Sequence, residues 1–186
     1  SAASQVMGLR TWIFSSPSSS ILRAMSDVRP SHLMDRQLYP FATLAATGEE
    51  LLDLVGSIGI VGAVTFSLDG SRLATASEDG SAGIWDAHSG ALITPFLRHN
   101  YQVMHVAFSP DSRHLAYCAN DSVDHWFAVL DGKRGTVYND AARPGFSPDS
   151  RRFAYRAGRG YRQLVVVDGR PGAEYDRLLG GPEFRD

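Results

Sequence analysis

The sequence predicts an all-β fold assembled from small antiparallel sheets repeated along the chain. One phrase occurs three times, as Phe66-Ser-Leu-Asp-Gly-Ser-Arg-Leu-Ala74, Phe108-Ser-Pro-Asp-Ser-Arg-His-Leu-Ala116 and Phe146-Ser-Pro-Asp-Ser-Arg-Arg-Phe-Ala154, at spacings of 42 and 38 residues. Self-similarity at this period marks a repeat architecture, in which each unit cannot bury its own apolar face and must stack on its neighbours. A second phrase, Val129-Leu-Asp-Gly-Lys-Arg-Gly135, recurs as Val166-Val-Asp-Gly-Arg-Pro-Gly172 at an offset of 37 residues, and Tyr138 recurs with it as Tyr175.

The clearest unit runs from Gly62 to Leu97. Ala63–Phe66 alternates as a strand should, and Ser67-Leu-Asp-Gly70 is a turn with glycine available for positive φ. Arg72–Ser77 is a second strand, and Glu78-Asp-Gly80 reverses the chain into a third, Ala82–Asp86. Ala87-His-Ser-Gly90 turns again into a fourth, Ala91–Phe96, which Pro95 places at a sheet edge because it cannot donate to a ladder. Four antiparallel strands joined by tight turns make one blade of a β-propeller.

The second unit repeats the plan with strands at Val103–Phe108, His114–Cys118, His125–Leu130 and Thr136–Asn139. The third uses Ala142–Phe146, Arg152–Arg156, Gln163–Val167 and Glu174–Asp176. Gly181–Phe184 matches Arg143–Phe146, the start of a further blade. On the N-terminal side, Ala42–Leu52 parallels Ile84–Ile93, and Phe14–Asp27 can be laid on Phe66–Asp79 with small shifts. An excursion at Val28–Leu38 would interrupt that degenerate blade. The expected organisation is a degenerate or poorly ordered segment over 1–40 and propeller repeats over 41–186, with blades at 62–97, 98–139 and 140–179 and the start of another at 181–186. That count falls short of the four to eight blades of a closed ring, so an incomplete or fragmentary propeller is expected. Its uncovered sheet faces would favour self-association.

A chain of 186 residues with 44% hydrophobic and 20% charged residues has the composition of a globular protein. A net charge of -2 gives no global reason to expect a nucleic-acid or anionic-membrane partner. No apolar run approaches the ~20 residues needed to cross a bilayer as a helix. The compartment stays open, since a signal sequence could have been removed. Cys118 is the only cysteine, which excludes an intrachain disulfide, and its neighbours Ala116-Tyr-Cys-Ala119 read as strand, so it is expected to be a buried apolar residue.

With these residues in place, the first unit resembles a WD-repeat blade: Ser77, Asp79, Ser81, Ile84, Trp85 and Asp86 fit that family's Ser-x-Asp-x-Ser-x-x-Ile-Trp-Asp segment. The later units also resemble the WD-like repeats of TolB-type propellers, through Phe-Ser-Pro-Asp-Ser-Arg-x-(Leu/Phe)-Ala-Tyr. The WD resemblance implies a structural tetrad of a blade-entrance His, a second-strand Ser, a turn Asp and the Trp. Ser77, Asp79 and Trp85 would fill three of its places, with Gly56-Ser57 where Gly-His is expected. The second unit keeps His99 at that entrance, but its Trp126 is displaced by one position.

No pattern of catalytic or metal-binding residues stands out. The six histidines are too dispersed for a short-spaced zinc motif, and neither His-Glu-x-x-His nor Gly-x-Ser-x-Gly occurs. Gly56-Ser-Ile-Gly-Ile-Val-Gly62 has the wrong spacing for a phosphate loop and opens a strand where a helix is required. A basic run, Arg143, Arg151, Arg152, Arg156, Arg159 and Arg162, could suit a polyanion, but strand alternation would scatter it. The expected function is a non-catalytic scaffold without cofactor or metal that binds a protein or peptide partner. The candidate rim comprises Glu78, Asp79, Arg98, His99, Tyr101, Asn120, Asp121, Arg159 and Tyr161, loop residues of the types that anchor interfaces. The alternatives are the propeller domain of a larger hydrolase of the prolyl-oligopeptidase kind and a TolB-like periplasmic accessory protein.

Overall fold

Apolar residues that are covered on both faces organise the second strand of each of the three sheets described in full. In Leu115–Asn120 all six residues are buried. Leu115, Tyr117 and Ala119 pack toward the preceding sheet, against Ala74, Ala76 and Ala82. Ala116 and Cys118 pack toward the following one, against Phe153, Tyr155 and Leu164. A strand with period-two side chains can be apolar throughout only when sheets lie on both sides of it. Fully buried Leu73, Val103, Phe127 and Leu164 each contribute roughly 1.5–3 kcal/mol to this stacking.

The computed structural model describes residues 61–95 and 97–184 in full, together with the backbone of four earlier strands. Those four are β1 (Arg10–Ser15), β2 (Ile21–Asp27), β3 (Phe41–Ala46) and β4 (Glu49–Leu54), paired antiparallel in chain order. Three further four-stranded sheets follow with the same up-and-down order. They comprise β5 (Val61–Phe66), β6 (Arg72–Ser77), β7 (Ser81–Asp86) and β8 (Leu97–Arg98); then β9 (Val103–Phe108), β10 (Leu115–Asn120), β11 (Trp126–Leu130) and β12 (Lys133–Tyr138); then β13 (Asp140–Phe146), β14 (Phe153–Arg159), β15 (Arg162–Val167) and β16 (Arg170–Tyr175). No helix occurs among the described residues, so the all-β blade architecture expected from the repeats is the architecture observed. The Val28–Leu38 excursion and the Gly56-Ser57 entrance lie outside the described residues.

The fourth strands depart from expectation in two ways. In the first complete blade the edge strand expected over Ala91–Phe96 is replaced by a lone bridge, Trp85 to Leu92, followed by the two-residue β8. Pro95 lies between them and has no N–H to offer the ladder. In the later blades the fourth strands begin earlier than Thr136 and Glu174, because Asp131-Gly132 and Asp168-Gly169 each close a two-residue hairpin. Both residues of each pair have positive φ, 48° and 77° in the first and 51° and 77° in the second. This is the type I′ geometry whose twist matches the flanking strands.

Candidate functional site

The chain reverses at every strand, so each blade sends two kinds of turn to each end. The first-to-second-strand turns and the Asp-Gly hairpins share one rim. The second-to-third-strand turns and the blade entrances share the other.

The repeated phrase builds the first rim. Ser67 Oγ donates to Asp69 Oδ1 at 2.6 Å and accepts from the Arg72 N–H at 2.9 Å, while Asp69 Oδ1 also accepts from the Ser71 N–H at 3.0 Å. Ser109 with Asp111 and Ser147 with Asp149 reproduce the arrangement. These hydrogen bonds hold the Asp69 carboxyl near a pKa of about 2, led by the Ser67 hydroxyl. The phrase is therefore a turn whose polar groups are spent internally. Beside it, between the second and third complete blades, a cleft of about 420 Å³ is lined by apolar Leu130, Phe146 and Phe153 and rimmed by Lys133 and Arg151.

On the opposite rim a cleft of about 440 Å³ opens between the first and second complete blades. Glu78 and Asp79, from the turn after β6, form one wall; Asn100, Tyr101 and Gln102, from the blade entrance, form another. Asn120, Val123 and Trp126, around the turn after β10, complete it. Tyr101 is half exposed and Val123 largely so, whereas Asn120 is buried at 4% exposure. The Asn120 side-chain amide donates to the Ser122 carbonyl at 3.1 Å, but its Oδ1 has no hydrogen-bond partner. The Trp126 indole donates to the Val123 carbonyl at 3.2 Å, which fixes the loop between them.

Four of the nine residues expected at the rim, Glu78, Asp79, Tyr101 and Asn120, thus meet in one cleft. His99 and Asp121 support it from beside and beneath. The His99 Nε2 lies 2.9 Å from the Tyr117 hydroxyl, and its ring packs on Phe127. Burial, aided by the Arg134 charge, pushes the His99 pKa below its ordinary value, and burial raises the Tyr117 phenol to about 12. Asp121 is paired with Arg134 at 2.8 Å, whose guanidinium lies 3.8 Å from the centre of the Phe127 ring. Arg98 is exposed on β8 away from the cleft lining. Arg159, paired with Glu174 at 3.0 Å, and fully exposed Tyr161 belong to the third complete blade and do not reach it. The sequence reading missed Asn100, Gln102, Val123 and Trp126; the displaced Trp126 was the available signal, since a tryptophan off the structural register is free to face a rim.

The tetrad differs from its expected membership. The Trp85 indole donates to Thr75 Oγ1 at 2.9 Å in a buried contact, so Thr75 takes the second-strand place assigned to Ser77. Thr75 and Trp85 lie on adjacent paired strands, whereas Ser77 Oγ accepts from the Asp79 N–H at 3.3 Å in the turn. Four of the six arginines of the basic run are held in ion pairs: Arg152 with Asp168 at 3.0 Å, Arg156 with Asp140 at 3.2 Å and Arg162 with Asp176 at 3.7 Å, besides Arg159 with Glu174. No group of three metal-ligating side chains gathers among the described residues.

Residues 48–86 and 90–126 each match the WD domain, G-beta repeat family, and both stretches contain cleft residues. The chain is 35% identical over 89 residues to a WD repeat-containing protein of Dictyostelium discoideum, which covers 42% of this chain and 15% of that protein. It is 33% identical over 91 residues to a periodic tryptophan protein 2 homolog of Schizosaccharomyces pombe, covering 49% and 11%. Over 74 residues it is 40% identical to autophagy-related protein 18 of Vanderwaltozyma polyspora, covering 38% and 13%. The chain spans less than a fifth of the length of each of these relatives. With its antiparallel four-stranded blades, Thr75–Trp85 contact and two stretches that match the WD repeat family, this chain is similar to WD-repeat proteins.

Proposed function

We propose that the chain is a non-catalytic WD-repeat scaffold that presents the cleft between its first and second complete blades to a protein or peptide partner. The convergence of Glu78, Tyr101, Asn120 and Trp126 from three separate loops supports this reading most directly. Loops positioned by a rigid sheet stack are where binding residues concentrate, and aromatic and amide side chains are common interface anchors. Tyr155 and Cys118, by contrast, are spent in the stacking core.

The test is selection of peptides from a random displayed library on the wild-type chain, followed by binding of the recovered peptides to Tyr101→Ala and Arg159→Ala variants. Tyr101→Ala is expected to lose binding by tenfold or more, on the order of a lost interface anchor. Arg159→Ala, outside the cleft, is expected to retain it. Equal binding to wild type and a folded Tyr101→Ala chain overturns the assignment.

A further inference from the structure

We infer that the rim cleft receives a cationic side chain, lysine or arginine, from its peptide partner. The inference rests on the cleft being the partner site, and it adds the chemistry of the guest.

The first observation is the orphaned acceptor. Asn120 lines the cleft at 4% exposure, its side-chain N–H group is committed to the Ser122 carbonyl, and its buried Oδ1 has no donor. A buried acceptor left unpaired is costly, and a guest N–H removes that cost.

The second observation is charge. Among the described residues, two carboxylates line the cleft and no lysine or arginine does. Asp79 Oδ1 is already engaged by the Ser81 N–H at 2.8 Å and by the Ser81 hydroxyl. The Glu78 carboxylate pairs with no cation among the described residues and is therefore the counter-charge on offer. An anionic guest would face both carboxylates.

The third observation is the pair of aromatic walls, Tyr101 and Trp126. The indole N–H of Trp126 is satisfied by Val123, which leaves the ring itself as the contact surface. Lysine and arginine combine N–H donors, positive charge and an apolar stem that lies against aromatic faces. Neutral donors such as serine or asparagine supply a hydrogen bond without the charge or the long apolar stem.

The experiment uses peptides selected on the intact chain, synthesised with each lysine or arginine replaced in turn by norleucine or citrulline, and measured by fluorescence anisotropy against wild type, Glu78→Gln and Glu78→Lys. The expected result is enrichment of lysine or arginine at one position, about tenfold weaker binding when that residue is neutralised, and a similar loss in Glu78→Gln. Glu78→Lys is expected to abolish binding of the cationic peptide. Circular dichroism of the Glu78 variants controls for folding, since Glu78 is a partly exposed turn residue outside the stacking core. Peptides that require Tyr101 but show no cationic position, or whose affinity is unmoved by Glu78→Lys, overturn the cationic guest while leaving the rim assignment standing. Peptides indifferent to Tyr101 overturn both.

Discussion

The Ser112 hydroxyl of one blade accepts a hydrogen bond of 3.1 Å from the backbone N–H of Asp69 in the blade before it. Ser150 repeats this toward the Asp111 N–H at 2.9 Å. Both serines occupy the turn position that Gly70 fills in the first copy of the phrase, and both adopt φ of 61°, where a side chain is disfavoured. The strain is offset by a stitch between neighbouring blades, which glycine cannot make. Arg72 adds a second link, donating to the Ser112 carbonyl and lying over the Phe108 ring.

Ser112→Ala keeps the strained Cβ and loses the acceptor. It is expected to destabilise the chain by about 1–2 kcal/mol in urea unfolding. Ser112→Gly loses the same bond but relieves the left-handed cost, so it is expected to lie within about 0.5 kcal/mol of wild type. Hydrogen exchange at the Asp69 amide should accelerate in both. Protection of that amide in Ser112→Ala would show that the stitch carries no weight.

The Thr75–Trp85 contact supports a second prediction. Thr75→Val preserves shape while deleting the acceptor for the indole N–H, and is expected to cost about 1 kcal/mol. Ser77→Ala, at the position the sequence suggested, should leave the tryptophan near-ultraviolet signal unchanged. The reverse pattern would restore Ser77 to the tetrad.

Stability should fall with acid in two stages. His99 and His105 are held below the ordinary 6.5, each mainly by burial. The unfolded chain therefore takes up protons on them first as pH drops through 6.5, and stability declines. Asp69 sits near 2 rather than 3.8, and Asp111, Asp149 and Asp168 are also lowered, the first two mainly by serine hydroxyls and Asp168 mainly by the Phe153 N–H. Their contribution is fully present above 3.8 and is lost as pH falls toward 2. Urea midpoints measured from neutral pH downward should show a shallow decline near 6.5, removed by combined His99→Gln and His105→Asn, and a steeper one below 3.8. A flat profile would contradict the assigned environments.

The blades were legible because their signals are local: a Ser-x-Asp turn, an alternating strand and a recurring spacing all act within one repeat. The Asp131-Gly132 hairpin was equally local, yet its strand was placed too late because Lys133–Gly135 carries no apolar alternation to mark it. Thr75 was missed in favour of Ser77 since both are small hydroxyl residues, and only the strand register decides which one faces Trp85. The cleft was half legible. Glu78, Asp79, Tyr101 and Asn120 declare themselves as loop residues, but that Asn120 is buried with an unpartnered oxygen is a matter of side-chain packing, which residue type and spacing do not encode.

Gly80 joins the blade architecture to the cleft. It has φ of 83°, its N–H donates to the Ser77 carbonyl at 3.2 Å, and its carbonyl accepts from the His99 N–H at 2.8 Å. A methyl group there would collide with the carbonyl oxygens of His99 and Tyr101, both of them backbone atoms that cannot swing aside. Gly169 has nearly the same φ, 77°, with nothing within 4 Å of the added carbon. Gly169→Ala therefore carries only the left-handed penalty, about 1–2 kcal/mol. Gly80→Ala adds the overpacking cost, for a total of about 3 kcal/mol or more. Because relief of the clash requires the Tyr101 backbone to move, Gly80→Ala should also weaken capture of selected peptides under conditions where it remains folded, whereas Gly169→Ala should bind them as wild type does. Equal binding by the two variants would separate the Gly80 turn from the recognition surface.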